Sequence, residues 1–330
     1  MKISITGGNG FIGSHLIDKL LARGAEISCL VRRTSNLRWL EGKKVRLIEG
    51  DMQSHEALRE LVVDADYVYH NAGIVKSKTR DGYFEGNTVA TKNILDACKR
   101  YSTHLSKFIF ISSQTAVGPS PDLEHPVDES TPCRPITAYG ESKKAAEEVV
   151  LSMKNELPVT IVRPPAVYGP RDTEIFIFFQ TIQKGLNPMI GFDDKRVSLI
   201  HVHDLVDGII LAGESSRSNA QTYFISSEEY YGWKECGRLA AEKMGKQSPL
   251  RIRVPHFVVY AIAAIAQLVS TFQKQAATLN IEKARDITRT YWTCSTAKAM
   301  QELGYRQRTS LAQGFENTIQ WYFDQGWLKK

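Results

Sequence analysis

The stretch ISITGGNGFIG, residues 3–13, decides the architecture. An apolar, β-branched run enters glycines at 7, 8, 10 and 13, and a helical pattern starts at Phe11. Glycine is demanded where a strand turns tightly into a helix, where backbone must approach a pyrophosphate, and where helix and strand pack closely. The helix N-terminus then offers free N–H groups and the positive end of its dipole to phosphate. Gly8-x-Gly10-x-x-Gly13 and Gly7-x-x-Gly10-x-x-Gly13 both fit, so spacing alone leaves the subclass open. Gly7, Gly10, Phe11, Ile12 and Gly13 are therefore candidate contacts to a dinucleotide.

Moving outward, short β-rich runs at 2–6, 26–31, 45–49, 67–70, 108–112 and 159–162 alternate with helical patterns at 11–23, 54–62, 88–101 and 137–157. This alternation predicts an α/β fold, a doubly wound parallel sheet covered on both faces. After Arg163 the rhythm breaks: prolines stand at 164, 165, 170 and 188, with an aromatic cluster at Phe176, Phe178 and Phe179. A strand at 197–202 and a helix at 204–212 read as a return to the sheet, and the chain from about 228 is mainly helical. The expected organisation is a dinucleotide-binding domain over 1–165 with a return segment at about 197–226. Residues 166–196 and 227–330 form a smaller, mainly helical substrate lobe over the carboxyl edge of the strands.

Composition agrees with two such units. The chain has 330 residues, 42% hydrophobic and 24% charged, which excludes disorder, collagen and coiled coil. Its 42 Lys+Arg against 36 Asp+Glu leave a charge of +6, and the basic pairs at 32–33, 43–44, 143–144 and 251/253 lie far apart in sequence, which argues against a nucleic-acid partner. Five dispersed cysteines without a C-x-x-C pair suit reduced thiols in the cytoplasm. The opening MKISITGG shows no leader pattern. His201-x-His203-Asp204 lacks a third convergent ligand, so no metal is expected.

The second candidate strand ends in Arg32-Arg33 with no acid to hold a ribose 2′-hydroxyl. A guanidinium suits a 2′-phosphate, so Arg32 points to NADP(H) over NAD(H). Tyr139 and Lys143 stand one helical turn apart. An adjacent ammonium lowers a phenol's pKa from near 10, so the pair suits proton transfer. The spacing recurs at Tyr230/Lys234, but only Tyr139 follows a strand, FIFISS (108–113), that delivers a serine, Ser113, to the same crevice. Ser113 is placed to hydrogen-bond a substrate oxygen as charge develops there.

The ordered series TGGNGFIG (6–13), GDM (50–52), HNAG (70–73), NTVATKNILDA (87–97), SSQTAVG (112–118), YGESK (139–143), RPPAVYGP (163–170) and IHVHDL (200–205) resembles the extended short-chain dehydrogenases/reductases, also called the NAD-dependent epimerase/dehydratase family. The resemblance implies that Tyr139 is the catalytic acid/base, that Lys143 lowers its pKa and holds the nicotinamide ribose, and that Ser113 orients the substrate oxygen. It implies adenine contacts at Asp51 and Met52 and a cofactor path along Ala72 and Gly73. Asn87 would support the site, Pro164 and Val167 would sit by the carboxamide, and Thr115 would face substrate. A homodimer through 88–101 and 137–153 is the family expectation.

Sugar-nucleotide members usually carry an asparagine where this chain has Ala166, and an arginine where it has Val197, with Arg196 one residue off and so on the opposite strand face. The post-strand arginine, WTCSTAKAMQELGY (292–305) and TIQWYFDQGWL (318–328) instead resemble the dihydroflavonol-reductase and 3β-hydroxysteroid-dehydrogenase-like branch. That branch implies hydride transfer between the nicotinamide and a ketone or secondary alcohol on an apolar small molecule. Phe176, Phe179 and Phe192 are candidate substrate contacts, although most of the aromatics are expected to be lobe core. A sugar-nucleotide epimerase or dehydratase is the alternative enzyme, and a non-catalytic dinucleotide sensor a further one. The uncharged run 254–272 carries a stripe of Val258, Ile262, Ile265, Val269 and Phe272, read as a buried or pocket-lining helix rather than a membrane span, with peripheral membrane contact left open.

Overall fold

The computed structural model describes residues 1–271, 277 and 279–329. From the amino end the chain lays down β1 (Lys2–Thr6), α1 (Phe11–Ala22), β2 (Glu26–Val31), β3 (Val45–Glu49), α2 (His55–Val62), β4 (Tyr67–His70), a short α3 (Arg80–Phe84), α4 (Ala90–Tyr101), β5 (Lys107–Ile111), α5 (Ala138–Ser152) and β6 (Val159–Arg163). These six strands form a parallel sheet that a seventh joins later. Two clusters of buried side chains cover its faces. Leu16, Ile17 and Leu20 of α1 lie in one, and Leu58, Ile94, Leu95 and Val150 of α2, α4 and α5 in the other. Each fully buried Leu or Ile contributes roughly 1.5–3 kcal/mol of apolar transfer, so strands buried on both faces read as continuous apolar runs.

Beyond β6 the chain forms β7 (Ala166–Tyr168), α6 (Phe176–Gln183), β8 (Leu186–Ile190), β9 (Arg196–Val197), β10 (Leu199–His201), α7 (Val202–Glu214) and β11 (Gln221–Phe224). Sheet order is β11-β6-β5-β4-β1-β2-β3. Order reverses between β1 and β4, and the glycine loop leaves β1 at that switch point, where doubly wound sheets bind ligands. Residues 197–202 are not the strand that returns to the main sheet. They form two short strands broken at Ser198: β10 pairs with β7, while β9 pairs outside the main sheet. The returning strand is β11, whose Gln221–Phe224 pair with Thr160–Arg163.

The remainder comprises β12 (Tyr231–Gly232), α8 (Trp233–Lys243), β13 (Leu250–Val254), α9 (His256–Thr271), α10 (Ile281–Thr288), β14 (Tyr291–Trp292), α11 (Ala297–Leu303) and α12 (Leu311–Asp324). Phe179, Tyr168, Phe315 and Tyr322 form the small lobe's own core. Residues 297–305 belong elsewhere: Ala299 and Tyr305 are buried in the core around α1 and α7, and Lys298 donates to Gln221 at the sheet edge. The 254–272 run also departs from expectation. Ile262, Ile265 and Val269 face solvent, and small residues, Val259, Ala263 and Ser270, take the buried side. Phe272 lies outside the described residues.

Candidate active site

The site begins where β5 ends. Ser112 and Ser113 follow the strand into a short 3-10 turn at 114–116, in which Ser113 Oγ accepts from the N–H of Thr115 (3.2 Å) and from its hydroxyl (2.9 Å). Thr137 caps α5, its hydroxyl accepting from the Gly140 N–H at 3.1 Å, which starts the helix just ahead of Tyr139. Gly140 has a steric role: a Cβ there would collide with the Thr115 carbonyl and lie 3.0 Å from Pro135. The helix therefore closes against the serine turn, and Ser113 comes near enough to the Tyr139 phenol to favour its ionised form. The Tyr83 ring packs 6.2 Å from that of Tyr139.

Lys143 is buried. Its Nζ donates to the Ile111 carbonyl at 2.7 Å and stands 4.2 Å over the Phe110 ring. Burial pulls the ammonium down to about 7, against the upward pull of the Glu147 carboxylate one turn on. The Tyr139 phenol moves opposite to the sequence expectation. Burial pushes it up to about 12; Ser113 opposes this, and the Asp286 carboxyl and Tyr83 add to it. A phenol so placed keeps its proton at neutral pH, as a proton donor must before reaction.

Around this pair lie groups that motif reading overlooked. Glu147 accepts from Arg163 through Nε (3.0 Å) and a terminal nitrogen (2.6 Å), and from the Ser112 hydroxyl, all buried. The signal was available as an acid four residues past Lys143, and so on the same helix face as that lysine. His70 on β4 bridges Thr6 of β1 (2.7 Å) and Thr91 of α4 (3.0 Å), and burial lowers it to about 3, so it is a neutral tie between the sheet and that helix. Asp286 on α10 is pushed up to about 6 by burial, and one of its carboxyl oxygens is buried without a hydrogen-bond partner. No sequence pattern marks it.

Asn87 sits in a π-helical turn, Glu85–Val89, that helical periodicity did not anticipate. Its amide accepts from the Ile74 N–H (2.8 Å), donates to the Ile74 carbonyl (3.1 Å) and donates to Ser142 (2.9 Å). The loop after β4 is thereby tied to α5, and a Cβ on Gly73 would lie 3.0 Å from Asn87 and 3.8 Å from the Lys143 Nζ.

The residues at the switch point fit a dinucleotide. Gly7 adopts φ +70°, and a Cβ there would stand 2.7 Å from the Ala72 nitrogen; one on Gly13 would collide with the Gly7 carbonyl and lie 2.8 Å from Gly8 Cα. No side chain caps α1 at Gly10, which leaves the first-turn N–H groups near Phe11 and Ile12 to a ligand. Arg32 and Arg33 are exposed past the end of β2. Asp51 is exposed at the end of β3, and the Met52 carbonyl accepts from Asn93 (2.8 Å). Pro164 is buried with its carbonyl bonded to the Gln114 N–H (2.8 Å), and Val167 pairs with Ile200.

Of the candidate substrate contacts, Phe179 is wholly buried in the lobe core against Phe315 and Tyr322, so no substrate reaches it. Phe176 is partly buried against Tyr322 and Trp327. Phe192 is exposed at the rim of a cleft of about 620 Å³ that Arg196, Arg238, Arg251 and Arg253 also line. The Thr115 hydroxyl is engaged by Ser113. Among the described residues no cluster of three or more His, Cys, Asp or Glu is placed to hold a metal. His201 accepts from the His203 N–H at the start of α7.

The fold and the glycine cradle belong with the NAD(P)-dependent enzymes of the extended short-chain dehydrogenase/reductase class, as the comparisons show. Residues 3–226 match the NAD dependent epimerase/dehydratase family, and the chain belongs to that family. Relatives include the ceramide reductase of Caulobacter vibrioides, 29% identical over 328 residues that cover 99% of this chain and 96% of that protein. They also include the 3-beta-hydroxysteroid dehydrogenase of Mycolicibacterium neoaurum, 26% identical over 98% of this chain and 92% of that one. The fold is shared with the dTDP-glucose 4,6-dehydratase of Streptomyces venezuelae solved with NAD: TM-score 0.80, 23% identity, 100% of this chain and 99% of that one.

Proposed function

We propose that the protein is an NADP(H)-dependent reductase of a ketone on an apolar, lipid-like small molecule, with Tyr139 as the proton donor. The observation that carries this reading is the placement of Tyr139 against the Ser113 turn at the end of β5, one helical turn from the buried Lys143. Support comes from relatives whose names are those of a ceramide reductase and a 3-beta-hydroxysteroid dehydrogenase.

The dinucleotide, when bound, supplies or takes up the hydride. The chain's residues do the rest. Ser113 and Tyr139 hydrogen-bond the substrate oxygen, and Tyr139 gives its proton to that oxygen as negative charge builds there. Lys143, fixed by Ile111 beside the loop that Asn87 holds, would hold the nicotinamide ribose. Arg32 is the proposed partner of the 2′-phosphate.

Tyr139→Phe is the direct test. Turnover should fall by about 10²–10⁴-fold, the usual worth of a positioned proton donor, with NADPH binding retained. Full turnover would remove Tyr139 from the mechanism. NADH binding as tight as NADPH would remove the cofactor assignment. Stoichiometric NADPH consumption with a long-chain or cyclic ketone separates a reductase from an epimerase or dehydratase, which regenerates its cofactor each cycle.

A further inference from the structure

Helix α9 is amphipathic in the wrong sense for a soluble protein. Its buried side is made of Val259, Ala263 and Ser270, packed against Ala284 of α10. Its large side chains point outward: Phe257 is 73% exposed, Leu268 66% and Ile265 64%, with Ile262 and Val269 each at 50%. At 100° per residue, Ala264, Phe257, Leu268, Ala261, Ile265, Val269 and Ile262 sweep about 160° of helix surface without a polar side chain. Water in contact with such an arc is unfavourable, and a contiguous patch of this kind marks an interaction site. Phe192, 68% exposed, extends the apolar surface beside the helix start, where the Arg253 guanidinium stands 5.5 Å from its ring and donates to its carbonyl at 2.8 Å.

In sequence, the chain's net charge is concentrated in the segment that contains this helix. Residues 246–289 hold seven basic side chains (Lys246, Arg251, Arg253, Lys274, Lys283, Arg285 and Arg289) and two acidic ones, Glu282 and Asp286. This segment therefore carries five of the six net positive charges of all 330 residues. Arg251, Arg253, Lys283, Arg285 and Arg289 are exposed. Glu282 offsets Arg285 and accepts from the Ala138 N–H, and Asp286 is partly buried with one carboxyl oxygen enclosed, whereas Arg251, Arg253, Lys283 and Arg289 form no ion pair among the described residues.

We propose that the outward face of α9, with Phe192 and the flanking arginines, is a docking surface for a bilayer bearing anionic phospholipid headgroups. Aliphatic and aromatic side chains of such a face enter the boundary between headgroups and acyl chains, and basic residues beside it gain from the negative surface potential. The contact is interfacial, since among the described residues no helix is long and apolar enough to cross a membrane. Through α10, whose Glu282 bonds the start of α5, this surface is one helix away from Tyr139. The proposal stands apart from the reductase reading, because docking is scored without turnover.

The test is flotation of the purified chain with vesicles of phosphatidylcholine alone or mixed with phosphatidylglycerol. The protein should rise with the mixed vesicles, less with the neutral ones, and less again in high salt. I265D/L268D should abolish flotation. R251S/R253S should weaken binding to the mixed vesicles by roughly fivefold for each arginine removed. Thermal melts and NADPH affinity of both variants should match the parent, which shows that they fold. Protein left at the bottom of the gradient with both compositions overturns the proposal. So does undiminished flotation of I265D/L268D, or equal flotation on neutral vesicles. If light scattering shows an oligomer that I265D/L268D converts to a monomer while flotation is absent throughout, a second copy of the chain covers the face instead.

Discussion

Glu147→Gln probes the buried polar cluster behind the site. The Glu147 carboxylate and the Arg163 guanidinium are 3% and 7% exposed, and two charge-assisted hydrogen bonds join them. A second terminal nitrogen of Arg163 already lacks a partner, so the carboxylate is the main compensation for that buried charge. Hydrogen bonds to charged groups are worth about 1.5–3 kcal/mol each, and removing one partner of a buried ion pair costs about 3–5 kcal/mol. Urea unfolding should show a loss of that size with an unchanged m value. Removing the stranded charge as well, in E147Q/R163M, should recover much of it, so the two effects should be strongly non-additive. The same change has a kinetic signature. The Glu147 carboxylate raises Lys143, whose pKa burial has brought to about 7. Without it the ammonium loses its proton at lower pH, and the high-pH fall of kcat/KM should move toward acid. A stability loss under about 1 kcal/mol, additive energies, or a stationary pH limb would refute the account.

Four further outcomes follow from the geometry. Asp286 has its folded pKa raised from 3.8 to about 6, so it contributes stability below pH 4 that is lost as pH rises to 6; D286N should therefore be the more stable chain at pH 7.5, by up to about 3 kcal/mol, and equal at pH 4. Urea midpoints at the two pH values check this, and no gain at 7.5 would refute it. Gly13→Ala forces a methyl into the Gly7 carbonyl, so NADPH affinity measured by fluorescence quenching should fall by at least about 100-fold. Phe179→Ala should cost about 3–5 kcal/mol in urea unfolding, because the ring is wholly buried. Phe192→Ala should cost under about 0.5 kcal/mol, because that ring is in solvent.

Most of the first six strands were legible because they are short apolar runs set between turns and helices, as buried parallel strands need; β3, at the sheet edge, is the partly charged exception. The serine, tyrosine and lysine were legible for a related reason: a strand end and a helix turn fix where those side chains emerge. Legibility failed where neighbours in space decide. Residues 197–202 have strand composition, but their partners, β7, β12 and β14, are short segments without a pattern of their own. The π-helical turn at 85–89 is set by Asn87 reaching Ile74 and Ser142. The Tyr139 pKa is governed by burial and by Asp286, 147 residues away in sequence. Periodicity found the stripe on α9 but could not tell which way it faces, since a helix packed through alanine and serine inverts the usual rule.

The seventh strand has a consequence for how the chain is made. β6 ends at residue 163, and its outer neighbour β11 is not complete until residue 224, after the excursion through α6 and α7. At about 5–20 residues per second on the ribosome, β6 spends roughly 3–12 s with one edge of N–H and C=O groups unpaired. An apolar strand in that condition is a template for pairing with another nascent chain. Segment 166–214 must therefore fold beside a sheet that is still open, and substitutions that slow its packing should first appear as lost soluble yield, before any change in the stability of the finished enzyme.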